Sequence, residues 1–200
     1  MKNIYFGEKL KEYEVRVLNE REVRAAAGIL FFLAIISFMN AYLTSNYKFI
    51  KIFIIIFMSD FFIRIFINPK YSPSLIIGRF AVKNQKVEYA GAPQKKFAWI
   101  LGFIFSIIMF FLVVVFNITG IFNLLICIMC LFLLFFESAF GICIGCMIYN
   151  LFSKNKAKLC PGAACEIRKK EEIQKINKIQ IIITTLFILI ISLIYYFFIR

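Results

Sequence analysis

Apolar positions along the chain gather into five long runs, Ala25–Leu43, Phe49–Ile67, Phe97–Phe116, Ile121–Ile148 and Ile179–Ile199, with charged or turn-forming residues between them. Crossing a hydrocarbon core of about 30 Å takes about 20 helical residues, and each run has that length or comes close to it. No period-two alternation suggests a barrel. An isolated strand would leave its backbone groups unpaired in lipid, so each run must be a helix. The pattern predicts an all-α, multi-pass transmembrane bundle of five spans, arranged as two helical hairpins followed by a C-terminal span.

The connecting segments divide the chain further. Residues 1–24 mix Lys, Arg and Glu and read as an amphipathic surface helix. Residues 25–149 hold the four-helix membrane core, 150–178 a basic loop with two cysteines that turns helical from about Ala164, and 179–200 the last helix. Between the second and third spans lie Pro69, Pro73, Gly78, Gly91 and Pro93. The middle of that connection, Ser74–Val82, is apolar enough to lie in the membrane interface.

Composition supports lipid as the solvent. The hydrophobic fraction is 62% and the mean hydropathy +0.85, against roughly 45–50% apolar residues in an ordinary globular chain. The formal net charge is +13 and there is no histidine. Basic residues sit between the apolar runs and form no separate stripe with interleaved aromatics, so nucleic-acid binding is not expected. Residues 1–24 lack an apolar h-region, so no cleavable signal peptide is expected either.

Charge distribution gives the orientation. Lys2, Lys9, Lys11, Arg16, Arg21 and Arg24 precede the first span. Lys70, Arg79, Lys83, Lys86, Lys95 and Lys96 lie in the second connection, and the fourth holds Lys154, Lys156, Lys158, Arg168, Lys169, Lys170, Lys175 and Lys178. The connections Thr44–Lys48 and Asn117–Gly120 carry one Lys and none. Positive residues stay on the cytoplasmic side, so the N-terminus is expected inside and the C-terminus outside.

Three ionisable residues fall within the runs. Asp60 and Arg64 are four apart, on one helix face, and Glu137 follows Phe135-Phe136. Counting about 1.5 Å per residue from the outer ends puts Arg64 and Glu137 at the same depth, each about 24 Å in, with Asp60 at about 18 Å. A triad with Arg64 between the two carboxylates is therefore expected. Two uses of it remain open: an ion network that specifies helix register, and a proton or anion pathway.

The six cysteines form three pairs. Cys127 and Cys130 lie within hydrocarbon, where a thiolate is disfavoured, and read as packing residues. Cys143 and Cys146 form a Cys-x-x-Cys at the inner boundary of the fourth span, flanked by Gly141 and Gly145, whose G-x-x-x-G spacing would let helices approach closely. Cys160 and Cys165 follow in the basic loop, where Lys154, Lys156, Lys158 and Arg168 would favour thiolates. Both pairs would face the reducing cytoplasm, where structural disulfides are unusual. Two kinds of chemistry fit: thiol exchange with a soluble thiol or sulfur-carrier protein, which needs no cofactor, and one zinc ion held by Cys143, Cys146, Cys160 and Cys165, whose spacing is near that of a zinc ribbon but not on it.

The stretch Phe140-Gly141-Ile142-Cys143-Ile144-Gly145-Cys146-Met147-Ile148-Tyr149, an F-G-x-C-x-G-C-x-x-Y pattern, resembles the bacterial membrane family called domain of unknown function 4395. Asn19–Arg24, Asp60–Arg64 followed by Tyr71-Ser72-Pro73, and Phe97-Ala98-Trp99 add to the likeness, which covers about Val15 to Cys165. The resemblance implies a bacterial inner-membrane protein with a core of two helical hairpins, and it supplies no catalytic residues.

Three functions are thus in play. The first is a cytoplasm-facing thiol redox or sulfur-handling protein with Cys143 and Cys146 reactive and Cys160 and Cys165 resolving. The second is a small transporter or channel subunit using Asp60, Arg64 and Glu137. The third is a structural membrane protein clamped by zinc.

Overall fold

The computed structural model describes residues 6–152 and 177–199. It divides into two units, Met1–Glu166 and Ile167–Arg200. Among the described residues the second unit contains one helix, α7 (Lys178–Ile199).

Among the described residues the surface helix expected of residues 1–24 does not appear: 6–16 are irregular, 17–19 form a strand and 20–24 open the first long helix. Strand β1 (Val17–Asn19) pairs antiparallel with β2 (Tyr89–Gly91), and Glu8 bridges to Val17. Helix α1 (Glu20–Leu43) follows at once, so Glu20, Arg21, Glu22 and Arg24 belong to its first turns. Asn19 caps it: its side chain accepts from the Arg21 N–H and donates to Glu22 Oε1 at 3.0 Å, satisfying a donor the helix start leaves orphaned.

Helix α2 (Lys48–Phe62) runs back and ends in a π turn, Ile63–Ile67. Helix α3 (Pro73–Ala81) packs on α1, capped by the Ser72 side chain, which accepts from the Leu75 N–H. Gly78 makes the approach possible, since a Cβ there would lie 2.6 Å from the Glu22 carbonyl oxygen. Helix α4 (Ala92–Met109) runs on into a π turn, Phe110–Val115, and α5 (Ile121–Phe135) into another, Phe136–Phe140. Helix α6 (Ile144–Phe152) folds onto α4.

Helix α1 is the hub, contacting α2, α3 and α5, while α4 contacts α2, α5 and α6. Its inward face carries Ala26, Ala27, Ala34, Ser37 and Ala41, small residues that let neighbouring backbones come close. Val23, Leu30, Phe57, Phe61, Leu75, Trp99 and Leu134 fill the core at one end, and Ala41, Ile50, Ile54, Met109 and Val113 fill the other. Large apolar side chains such as Phe32, Ile52, Ile104, Phe122 and Phe132 point outward, well exposed. A soluble monomer rarely shows so wide an apolar surface, but it suits lipid.

Three described helices are long and apolar enough to cross a membrane: Glu20–Leu43, Ala92–Val115 and Ile121–Phe140. The expected second span is the helix Lys48–Ile67, in which Lys48, Lys51, Asp60 and Arg64 interrupt the apolar sequence. The fourth stops earlier than the hydropathy pattern suggests. Gly141 adopts φ +68° and breaks the helix, so Cys143 and Cys146 belong to a new element. Gly141 and Gly145 therefore share no helix face, and the expected G-x-x-x-G contact does not form.

Candidate functional site

Antiparallel packing brings the start of α1, the end of α2, the start of α4 and the end of α5 to one end of the first unit. Most of its buried polar groups collect there, in two charge clusters and a cysteine pair.

The first cluster is built around Asp60. Its Oδ2 accepts from Arg64 Nε at 2.8 Å and from Ser74 Oγ at 2.6 Å, and its Oδ1 from Ser72 Oγ at 2.7 Å and the Ser74 N–H at 3.0 Å. Arg64 also donates to Ser72 and Ser74, and its guanidinium lies over the rings of Phe61 and Trp99, 4.5 and 5.0 Å from their centroids. The expected i,i+4 pair is present. Its further partners are the serines at the start of α3, not Glu137.

Glu137 belongs to the second cluster. Lys95 Nζ lies 2.7 Å from Glu137 Oε1 and 2.9 Å from Glu20 Oε2, which ties α1, α4 and α5 together. Equal depth brings Glu137 close enough to Arg64 for their charges to act on one another, but among the described residues the two form no hydrogen bond or ion pair. Depth says nothing about direction around each axis. The expected triad is thus split into two hydrogen-bonded groups that feel each other's charge. Lys95 was counted among the loop charges of the second connection, yet it is fully buried. The signal for it was Pro93. Proline in the first turn marks a helix start, and a start at Ala92 places Lys95 inside the bundle rather than on a loop.

The cysteine pair opens α6. Cys143 occupies the N-cap position: its carbonyl accepts the first helical bond, from Met147 N–H at 3.1 Å, and its Sγ accepts from Cys146 N–H at 3.3 Å. Both residues are buried and neither is in a disulfide. A hydrogen bond to Cys143, and then burial, push the Cys146 thiol well above its ordinary range; the Lys95 charge acts in the opposite sense. Cys146 therefore keeps its proton and shares it with Cys143. Gly145 lies against α4, where a Cβ would come within 2.7 Å of Ala98 Cβ. Arg24 donates to the Ala139 carbonyl at 3.4 Å and packs over Gly141, whose left-handed φ already favours glycine.

Cys160 and Cys165, expected to complete a four-cysteine group, lie outside the described residues. Among the described residues no group of three or more His, Cys, Asp or Glu is placed to hold a metal. Cys127 and Cys130 line an apolar cavity of about 50 Å³ between α1, α2, α4 and α5, together with Phe57, Ser106 and Leu134.

A family model described as Domain of unknown function (DUF4395) matches residues 18–154. The chain belongs to the DUF4395 family. The match takes in both charge clusters and the Cys143/Cys146 pair. Neither the curated proteins nor the solved structures provide a match.

Proposed function

We propose that this DUF4395 member is a bacterial inner-membrane thiol protein whose Cys143 and Cys146 form a reactive dithiol at the cytoplasmic face. The reading keeps five spans, with the N-terminus inside, because the basic connections alternate with neutral ones. One observation carries it. Cys143 caps a nine-residue helix with its sulfur, and its Cys-x-x-Cys partner is hydrogen-bonded beside it. A helix N-terminus favours the anionic form of a thiol placed there.

In the exchange, the Cys143 thiolate attacks one sulfur of a disulfide on a soluble thiol protein. A mixed disulfide forms, and the partner's other sulfur leaves as a thiol after taking up a proton. Cys146 then loses its proton and attacks Cys143 Sγ, forming the Cys143–Cys146 bond and releasing the partner's second thiol. The membrane protein loses two electrons and two protons, and the partner gains them. Cys160 and Cys165 would relay the same electrons onward or resolve the intermediate.

Inverted vesicles carrying the protein, treated with a mild oxidant, are expected to lose alkylation at Cys143 and Cys146, and a dithiol reductant should restore it. Equal alkylation with and without oxidant overturns the reading. A zinc ion held by Cys143, Cys146, Cys160 and Cys165 is the competing use of the same sulfurs, and metal analysis of the purified protein separates the two. A transport role draws support from the buried Lys95 between two carboxylates. It predicts uptake that survives replacement of every cysteine by serine.

A further inference from the structure

The first turn of α6 rests on the first turns of α4. Gly145 approaches Ala98 so closely that a Cβ would also lie 2.9 Å from the Ala98 Cα. Lys95 stands three residues before Ala98 in the same helix, and positions three apart share a face. Glu137 comes six residues before Cys143, in the π turn that ends α5. The ammonium of Lys95 is therefore within electrostatic reach of the cysteine pair, held there by Glu137 at 2.7 Å and by both oxygens of Glu20, at 3.0 and 2.9 Å. Its side chain has no exposure to solvent. Nothing in the thiol exchange described above requires a buried lysine clamped between two carboxylates at that place.

We propose that Lys95, fixed by Glu20 and Glu137, is the positioning residue that sets how readily the Cys143/Cys146 pair ionises. The inference rests on the thiol reading and deepens it. Two charges act on the pair, Lys95 on α4 and Glu137 at the end of α5, while Glu20 and Arg24 on α1 lie against Lys95 and Gly141. Tyr149 lies on α6 itself, its ring tilted against that of Phe97 with centroids 5.5 Å apart. Within this set Lys95 and Glu137 act on Cys146 in opposite directions, the lysine favouring the thiolate and the carboxylate opposing it. The clamp prevents the flexible lysine stem from swinging its charge away, so the field at the sulfurs stays constant through the exchange. A lysine free in a loop would offer the same charge without the fixed position.

The test uses the full chain with Cys127, Cys130, Cys160 and Cys165 changed to serine, reconstituted in vesicles. The rate of alkylation of Cys143 and Cys146 by N-ethylmaleimide is followed as a function of pH. In Lys95→Met the midpoint of the profile is expected to rise by about one pH unit or more, the size of shift a neighbouring charge produces. In Glu137→Gln it is expected to fall, and Lys95→Arg should stay near the parent. Opposite shifts are what an electrostatic role requires, because a merely structural role would loosen the site and move both variants the same way. Midpoints that move together, or do not move, overturn the proposal.

If Lys95→Met does not accumulate, Glu137→Gln decides the matter. It removes the charge that opposes the thiolate while Glu20 still holds the lysine, so it must lower the midpoint. A rise or no change overturns the proposal. Absence of disulfide formation in the parent under oxidant would defeat the thiol function while leaving the pH profiles to judge Lys95 on their own.

Discussion

Arg64 and Lys95 are both buried cations at the same end of the first unit, but their surroundings differ. Arg64 is answered locally, by Asp60 one turn away and by Ser72 and Ser74 at the start of the next helix. The serine bonds in that cluster tie the end of α2 to the start of α3, and Asp60 accepts four hydrogen bonds. Lys95 is answered by residues 75 and 42 positions away in sequence, on α1 and at the end of α5. A buried ion pair whose remaining valences are filled by hydroxyls and a backbone N–H is neutral and closed, and it holds register. A single cation shared by two carboxylates from other helices stands instead within reach of the cysteine pair. The comparison assigns the first cluster to architecture and the second to the site.

Three substitutions sharpen the contrast. Removing the guanidinium in Arg64→Leu should have the largest effect, because Asp60 is then buried without its counter-charge. A loss of about 3–5 kcal/mol is expected for breaking one side of such a pair, read as a collapse of the melting temperature in detergent. Ser74→Ala takes away a hydroxyl that donates to Asp60 and accepts from Arg64. It should cost about 1–3 kcal/mol, as for hydrogen bonds to charged groups, and the same melting curve measures it. Arg79→Ala breaks a 3.1 Å pair with Glu22 in which the arginine is half exposed. Exposed pairs contribute about 0.2–1 kcal/mol, so the melting point should hardly move. The comparison also requires that Ser74→Ala and Arg79→Ala leave the pH profile of Cys143 and Cys146 alkylation where it was. A shift in either would mean that the two clusters act as one.

Much of the architecture could be read along the chain. Apolar runs of the right length become the helices α1, α2, α4 and α7 within a few residues, because lipid tolerates little else, while the fourth run is cut at Gly141. Asn19, Ser72 with Pro73, and Pro93 mark helix starts where the structure has them. The Asp60/Arg64 pair was legible too, since four residues on a helix fix their mutual direction. Two errors share one cause. The triad with Glu137 was inferred from depth, and the G-x-x-x-G face was inferred from spacing across Gly141. Hydropathy measures how apolar a stretch is, and it is blind both to the direction a side chain takes around the axis and to a single left-handed glycine.

The sequence by itself determined that this is a membrane-compatible, mainly helical chain of the DUF4395 family with a Cys-x-x-Cys near the end of its fourth apolar run. Hydrocarbon imposes length, helicity and charge placement one segment at a time, and those are local properties. Only the tertiary structure decided that Lys95 leaves the loop charges to join Glu20 and Glu137, that Arg64 turns to the serines instead, and that Cys143 caps a separate helix. Each of these depends on which faces of distant helices meet, and the energy that chooses among such meetings comes from burying charges only where a partner from elsewhere in the chain has already arrived.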